Sequence, residues 1–336
     1  VHDLPSGNAQ PLAQVLDGNF TFACGGSQLV TANPNEPLRC WDIETGEPTL
    51  SFGLCYNEPS KIGPYSWHGG EFTIASTYDD ETQVRIWQPN DTKPKVLRGH
   101  TSFVYSVSTN RDGSIAASGS WDGTARIWNT QTGQQLVELP HPQAVHAVAL
   151  NPDGDRLVTY TRRQEVRLWD TMTGQLLATD HLFKSEVYQP DFHFSADGGS
   201  ILCAIGNNLC RLNATSLAIE HVLGERRFDD VATDASERII AAVTTGLTER
   251  EYLLSIRDPE SFQIVRSIEI PSEAPSVAVS PQGDLIAVGF VDGGVGVWEA
   301  EGLRKVWQVN RHVGEVFDIV FEPDGTRLFS AGRDGG

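Results

Sequence analysis

Three side chains near the middle of the sequence have the types that hydrolases use for nucleophilic catalysis. Ser118 and Asp122 follow His100 at offsets of 18 and 22 residues, and a serine activated by an aspartate-oriented histidine can attack a carbonyl carbon. A structural role is the better explanation, because a buried imidazole or indole N–H without a partner costs about 1–3 kcal/mol. Trp128 follows His100 at an offset of 28. We therefore assign no catalytic residue and predict a structural hydrogen-bond network.

The same spacing occurs at two further places. His141 is followed by Thr159 and Trp169 at offsets of 18 and 28, although Arg163 stands where an aspartate is expected. A third set, near the end of the chain, repeats the offsets of 18 and 22. The side chains of the predicted structural network are His100, Ser118, Asp122, Trp128, His141, Thr159, Trp169, His312, Ser330 and Asp334.

Carboxylates offer the best alternative chemistry. Asp191, Asp230 and Asp318 fall at equivalent places in three repeats of an apolar pattern, and converging carboxylates are ligands of hard cations such as calcium. An aspartate at this place can instead accept hydrogen bonds from neighbouring backbone, which is the interpretation we favour. We therefore assign no metal and keep the three aspartates as weak candidates, and the histidines outside the network show no metal-ligand spacing.

The elements that must position these side chains are short strands. Between residues 97 and 140, three β-rich runs are separated by Asp-Gly or Thr-Gly turns, and a fourth run follows Thr132-Gly133. Short runs joined by such turns predict an antiparallel meander of four strands. One sheet of this kind cannot bury its own faces, so further copies must pack against it.

The order of residues in this stretch resembles that of a WD-repeat (WD40) blade. It runs from Gly99-His100 through Ser118-Gly-Ser-Trp-Asp-Gly123 to Ile127-Trp128. The resemblance implies an all-β fold, a closed β-propeller of four-stranded antiparallel blades. It also implies that the Asp, His, Ser and Trp side chains form a polar chain within such a blade.

Signature positions of this kind fall at residues 41, 87, 128, 169, 212, 257 and 298. Half repeats stand at the two ends, so we expect residues 1–16 and 312–336 to form one shared closing blade, with His2 in the place of the signature tryptophan. We predict a single domain over residues 1–336 with eight blades, seven being the alternative. The join is shorter than in an intact blade, so trimmed termini or an excised run from a longer array stay open.

Composition limits the partners. The chain has 44 acidic and 25 basic residues and a formal net charge of −19, which repels nucleic acid and anionic membranes. No apolar run approaches the ~20 residues that a membrane span needs. Five cysteines without a CxxC pair predict reduced thiols in a cytosol-like compartment. We therefore expect a soluble, cytoplasmic protein with protein partners and neither nucleic-acid nor membrane partners.

The function we favour is a protein–protein interaction scaffold or sensor module without chemistry of its own. Aromatic and arginine side chains, which carry most interface energy, fall at strand ends that the resemblance places around one mouth of a central channel. The irregular stretch 55–64 is a further candidate surface. The candidate partner-binding residues are Phe103, Tyr105, Trp121, His146, Arg162, Tyr188, Phe317 and Arg333.

Two other functions stay open. The chain could be the regulatory or sensor segment of a larger signalling protein, such as a bacterial kinase or a nucleotide-dependent switch protein. No Gly-x-x-x-x-Gly-Lys phosphate loop or kinase signature occurs in the sequence, so we expect no cofactor in these residues. The second alternative is a propeller enzyme or a metal-binding propeller, for which the three aspartates are the best evidence.

Overall fold

The structure, a computed structural model, describes residues 2–3, 19–23, 28–32, 37–42, 45, 47–54, 74–78, 82–87, 95–161, 163, 165–181, 191–195, 197–205, 208–223, 227–234, 238–245, 251–322 and 324–333. Every regular element within these ranges is a β-strand. The same ranges contain no helix with the length and apolar character that crossing a membrane requires. Residues 4–16, the irregular stretch 55–64, Arg162, Tyr188 and Asp334 lie outside the described residues.

The chain divides into two compact units. The first comprises residues 1–33, 39–50 and 221–336, and the second comprises residues 34–38 and 51–220. In the described part of the chain the strands form eight antiparallel sheets, six of four strands and two of three strands. All-β, repeated four-stranded antiparallel sheets are consistent with the blades of a propeller.

Four of the sheets lie in the second unit, apart from residues 221–223, and each is a meander in which consecutive strands are neighbours. Its three-stranded sheet is β6 (Ile74–Tyr78), β7 (Gln83–Trp87) and β8 (Lys95–Leu97). The four-stranded sheets are β9 (Val104–Thr109), β10 (Ile115–Ser120), β11 (Thr124–Asn129) and β12 (Gln135–Pro140); β13 (Val145–Leu150), β14 (Arg156–Thr161), β15 (Glu165–Asp170) and β16 (Leu176–His181); and β17 (Asp191–Phe194), β18 (Ser200–Ile205), β19 (Asn208–Asn213) and β20 (Ile219–Leu223).

The other four sheets lie in the first unit, except that residues 37–38 and 51–54 of their strands belong to the second. Three are four-stranded meanders: β2 (Asn19–Ala23), β3 (Gln28–Ala32), β4 (Pro37–Asp42) and β5 (Pro48–Leu54); β21 (Arg227–Thr233), β22 (Ile240–Thr245), β23 (Tyr252–Arg257) and β24 (Ile264–Glu269); and β25 (Ser276–Val279), β26 (Leu285–Gly289), β27 (Gly294–Glu299) and β28 (Lys305–Asn310). The fourth joins β1 (His2–Asp3) to β29 (Val316–Phe321) and β30 (Arg327–Gly332) in the order β1-β30-β29.

The join between β1 and β30 follows the register of an ordinary sheet. His2 lies opposite Leu328, and Leu328 stands two residues before Ser330 in the chain. The signature tryptophan of the β9–β12 sheet has the equivalent position: Trp128 lies opposite Ala116, and Ala116 stands two residues before Ser118. His2 therefore takes the register place of a signature tryptophan, and the first and last described strands share one sheet. A single domain over residues 1–336 stays a prediction.

Apolar side chains from neighbouring sheets fill the space between them. Trp128 packs with Ile86 and Leu97 of the preceding sheet, and Trp169 packs with Ile127 and Leu139. The apolar space between two neighbouring sheets must be filled by a large side chain at the signature position. Residues other than tryptophan can also fill it. Leu212 fills the position in the β17–β20 sheet and is fully buried.

Arg257 holds the signature position of the β21–β24 sheet. Its side chain is buried, and its Nη1 donates a hydrogen bond of 3.1 Å to the carbonyl oxygen of Phe262. The aliphatic stem of a buried arginine can fill part of the volume that a tryptophan takes elsewhere. The two repeats with the weakest sequence signature therefore keep the same architecture.

Several of the described turns between the third and fourth strands share one device. The residue after the signature position accepts hydrogen bonds from the backbone N–H and the hydroxyl of a Thr or Ser three residues later. Asn129 binds Thr132 in this way at 2.8 and 3.0 Å. Asp170, Asp258 and Asp42 do the same. The aspartate of a Trp-Asp pair thus accepts the hydrogen bonds that close this turn.

Candidate functional site

The four side chains predicted to interact in the β9–β12 sheet form one continuous hydrogen-bonded chain. The indole Nε1 of Trp128 donates to Ser118 Oγ at 2.8 Å, and His100 Nε2 lies 2.7 Å from the same oxygen. His100 Nδ1 lies 2.8 Å from Asp122 Oδ2. Ser118 Oγ is held between two buried rings, and the serine is 0% exposed. The arrangement satisfies buried polar groups and leaves no path by which a substrate carbonyl could reach the hydroxyl.

The electrostatics of this chain follow from burial and from its hydrogen bonds. Burial acts to raise the pKa of Asp122, but hydrogen bonds from Thr124, from the Thr101 N–H and from His100 outweigh it and hold the pKa at about 2. Burial lowers the pKa of His100, against the opposing pull of Asp122. At neutral pH the pair is therefore an ionised carboxylate beside a neutral imidazole that donates its Nδ1–H to Asp122.

The β13–β16 sheet builds the same chain without an aspartate. Trp169 Nε1 donates to Thr159 Oγ1 at 3.0 Å, and His141 Nε2 lies 2.8 Å from that hydroxyl. His141 Nδ1 lies 2.9 Å from the carbonyl oxygen of Leu139, which takes the place of the missing carboxylate. Burial lowers the pKa of His141 to about 4, although the bond to Leu139 opposes the shift. Arg163, at the aspartate position, is exposed.

The set near the end of the chain is described in part. His312 Nε2 lies 2.8 Å from Ser330 Oγ, the contact that His100 makes with Ser118. Asp334 lies outside the described residues, so its predicted place in this network stays a prediction.

Two of the three candidate metal ligands bind backbone. Asp230 accepts one hydrogen bond from the Val231 N–H and another from the Val277 N–H, both at 2.8 Å, and the second joins β21 to β25. Asp318 accepts from the Ile319 N–H at 2.8 Å. Burial raises the pKa of Asp318 to about 7, and the charge of Asp230 adds to the shift.

The third aspartate, Asp191, occupies the same register. It lies opposite Ala204, as Asp230 lies opposite Val243 and Asp318 opposite Ala331. Among the described residues, no three His, Cys, Asp or Glu side chains come together as a metal site would require. The described contacts of Asp230 and Asp318 are those of aspartates that hold inner strands in place.

Four rings form a continuous row at one end of the β9–β12 and β13–β16 sheets, and we call it the aromatic row: Phe103, Trp121, Tyr105 and His146. The Phe103 and Trp121 ring centroids are 6.0 Å apart, and those of Trp121 and Tyr105 are 5.6 Å apart. Tyr105 stacks on His146 at 4.8 Å. Phe103 is 44% exposed and Trp121 is 47% exposed. The row thus joins two exposed rings to two half-buried ones.

Local backbone geometry fixes the row. The Trp121 N–H donates to the Phe103 carbonyl oxygen at 2.8 Å, which holds the two connections together. Register shifts make Tyr105 an extra residue between Val104 and Ser106, and His146 an extra residue between Val145 and Ala147. A β-bulge re-aims the side chain of its extra residue. The bulges therefore turn these two rings toward the exposed end of their sheets.

The remaining candidate contact residues belong to the first unit or lie outside the described residues. Phe317 is the extra residue of a bulge in β29 and is 39% exposed. Arg333 is exposed, and its N–H donates to the Glu315 carbonyl oxygen at 2.8 Å. Both belong to the first unit, whereas the row belongs to the second. Arg162, Tyr188 and the stretch 55–64 lie outside the described residues.

Comparison with known protein families identifies the repeats. The family described as WD domain, G-beta repeat matches residues 92–129, 133–170 and 304–336. Each match begins before the outer strand of one sheet and continues into the next sheet, so that 133–170 contains β12 and β13 to β15. No curated protein matches the chain. Two of the matched segments carry the His, Ser or Thr, and Trp contacts measured above and the third carries the His312–Ser330 contact, so these three segments of the chain are WD40 repeats.

Proposed function

We propose that the chain is a non-catalytic protein-interaction module and that the aromatic row is its main docking surface. WD40 repeats generally mediate interactions between proteins. The observation that carries the proposal is the exposure of Phe103 and Trp121 on a backbone that hydrogen bonds hold in place. Large aromatic side chains supply a disproportionate share of interface energy, and rigid ones lose little entropy on binding.

The turn that carries Trp121 is rigid on both sides. Ser120 Oγ donates to the Ser102 carbonyl oxygen at 3.0 Å and accepts from the Asp122 N–H at 3.1 Å. Asp122 in turn accepts from the Thr101 N–H at 3.0 Å. The hydrogen bonds of Ser120 and Asp122 therefore hold the turn, and with it the backbone of Trp121, in position.

Loss of partner capture on removal of the row tests the proposal. The double variant Phe103→Ala, Trp121→Ala should reduce recovery of the native partner from the source cell at least tenfold, equivalent to about 1.4 kcal/mol. The matched control is Leu136→Ala with Met172→Ala, which removes two other exposed apolar side chains of the second unit. If both double variants recover the partner as the unmodified chain does, the row is not the docking surface.

We further propose that the sheets form a closed propeller of eight blades and that the protein is cytoplasmic. The pairing of β1 with β30 supports closure into an eight-bladed propeller with the shared blade 1–16 and 312–336. Electron microscopy that counts blades in projection tests this number. The free, buried thiols of Cys203 and Cys210 support a reducing, cytoplasmic compartment, which imaging of the tagged protein in its source cell tests.

A further inference from the structure

We propose that the Phe103–Trp121 end of the aromatic row receives an arginine side chain from a basic segment of the protein partner, an inference that rests on the docking function proposed above. The face of an aromatic ring attracts cations, and an indole does so more strongly than other rings. The two rings at this end are 6.0 Å apart and inclined by 50°. A flat guanidinium that lies on the indole face is therefore also within reach of the phenyl ring.

The charges beside these rings favour a cation. Asp122, the chain neighbour of Trp121, is ionised, and its partner His100 is neutral at the same pH. Arg126 lies nearby, but its charge is balanced by Glu138 at 3.1 Å. The turn therefore carries one negative charge that no described side chain of the network neutralises.

The charge of the whole chain acts in the same direction. The formal net charge of −19 attracts basic segments and repels acidic ones during diffusional encounter. Arginine fits the rings better than lysine, because its planar guanidinium stacks on an aromatic face and is more weakly hydrated than an ammonium group.

Selection of short random peptides displayed on phage tests the proposal with a defined probe. Peptides that bind the full chain are counter-selected against the Phe103→Ala, Trp121→Ala variant, so that only row-dependent binders remain. We expect these binders to be enriched in arginine. A synthetic binder in which arginine is replaced by citrulline, which has the same shape without the charge, should bind at least tenfold more weakly.

The variant Trp121→Leu separates a cation on a ring face from a plain apolar contact. Leucine keeps apolar volume and removes the π face, so we expect a tenfold loss of the arginine peptide, whereas Trp121→Phe should lose less. Row-dependent peptides that lack arginine, equal binding of the citrulline peptide, or unchanged binding by Trp121→Leu would each overturn this inference while the docking function stands. If no selected peptide depends on the row, the docking function itself fails.

Discussion

Replacing Ser118 by alanine should destabilise the chain more than any exposed Ser→Ala change. The hydroxyl accepts from Trp128 Nε1 at 2.8 Å and lies 2.7 Å from His100 Nε2, and both rings are buried. The change therefore strands two buried polar groups, each at about 1–3 kcal/mol. We expect the free energy of unfolding to fall by about 2–5 kcal/mol. Urea denaturation followed by tryptophan fluorescence and circular dichroism measures it.

Two further variants make this measurement decisive. Ser102→Ala removes a hydroxyl for which no described residue is a partner, and it should change stability by less than about 0.5 kcal/mol. Thr159→Val keeps the side-chain volume while it strands Trp169 Nε1 and His141 Nε2, so its cost should approach that of Ser118→Ala. If Ser118→Ala costs no more than Ser102→Ala, the buried polar chain does not stabilise the sheets as we argue.

Three further outcomes follow from the same contacts. Trp128→Phe and His100→Ala should each lower the free energy of unfolding by about 1–3 kcal/mol and leave partner capture intact; unchanged unfolding midpoints in both would show that the network is misinterpreted. The pKa of Asp318 is about 7 in the folded chain against an ordinary 3.8, so its contribution to stability is present below pH 3.8 and is lost as the pH rises through 7. At about 1.36 kcal/mol per pKa unit the loss of stability amounts to up to about 4 kcal/mol, and Asp318→Asn should abolish it. If the variant and the parent lose the same stability with rising pH, this prediction is wrong. The pKa of His141 is lowered from 6.5 to about 4, so its contribution to stability is present above pH 6.5 and is lost as the pH falls through 4. A His141→Asn variant should therefore lose less stability than the parent over that pH range. If both lose the same stability on acidification, the lowered pKa is refuted.

Sequence spacing predicted the contacts of the first polar chain because strand and turn lengths fix where its members lie. The offset of 18 from His100 leads to Ser118 in the second strand of the sheet, the offset of 22 to Asp122 in the following turn, and the offset of 28 to Trp128 in the third strand. The side chains at those offsets meet within hydrogen-bond distance. The register of β1 against β30, with His2 opposite Leu328, followed from the same periodicity.

Contacts that are made by the backbone cannot be predicted from the types of the side chains. The carbonyl oxygen of Leu139 replaces a carboxylate beside His141, and any residue at position 139 could supply a carbonyl. The bulges at Tyr105 and His146 depend on backbone register, which alternation alone does not reveal. For that reason the sequence indicated that Phe103, Tyr105 and Trp121 come together, but not that the ring of His146 stacks on Tyr105 and extends the row.

Leu212 and Arg257 illustrate a second limit. Both stand at signature positions without a tryptophan, yet both are buried in the layers between sheets. What the fold requires there is apolar volume, and a leucine or the stem of an arginine can provide it. These two repeats were therefore recognisable by their register and apolar alternation rather than by the signature itself.

Site-specific photocrosslinking in the source cell tests the central claim, that the aromatic row contacts a protein partner, most directly. A photoreactive phenylalanine analogue placed at position 103 or 121 should form a covalent adduct with one protein on irradiation, and the same analogue at Leu136 should not. Adducts from Leu136 with none from positions 103 and 121, or no adduct from any of the three, would contradict the account.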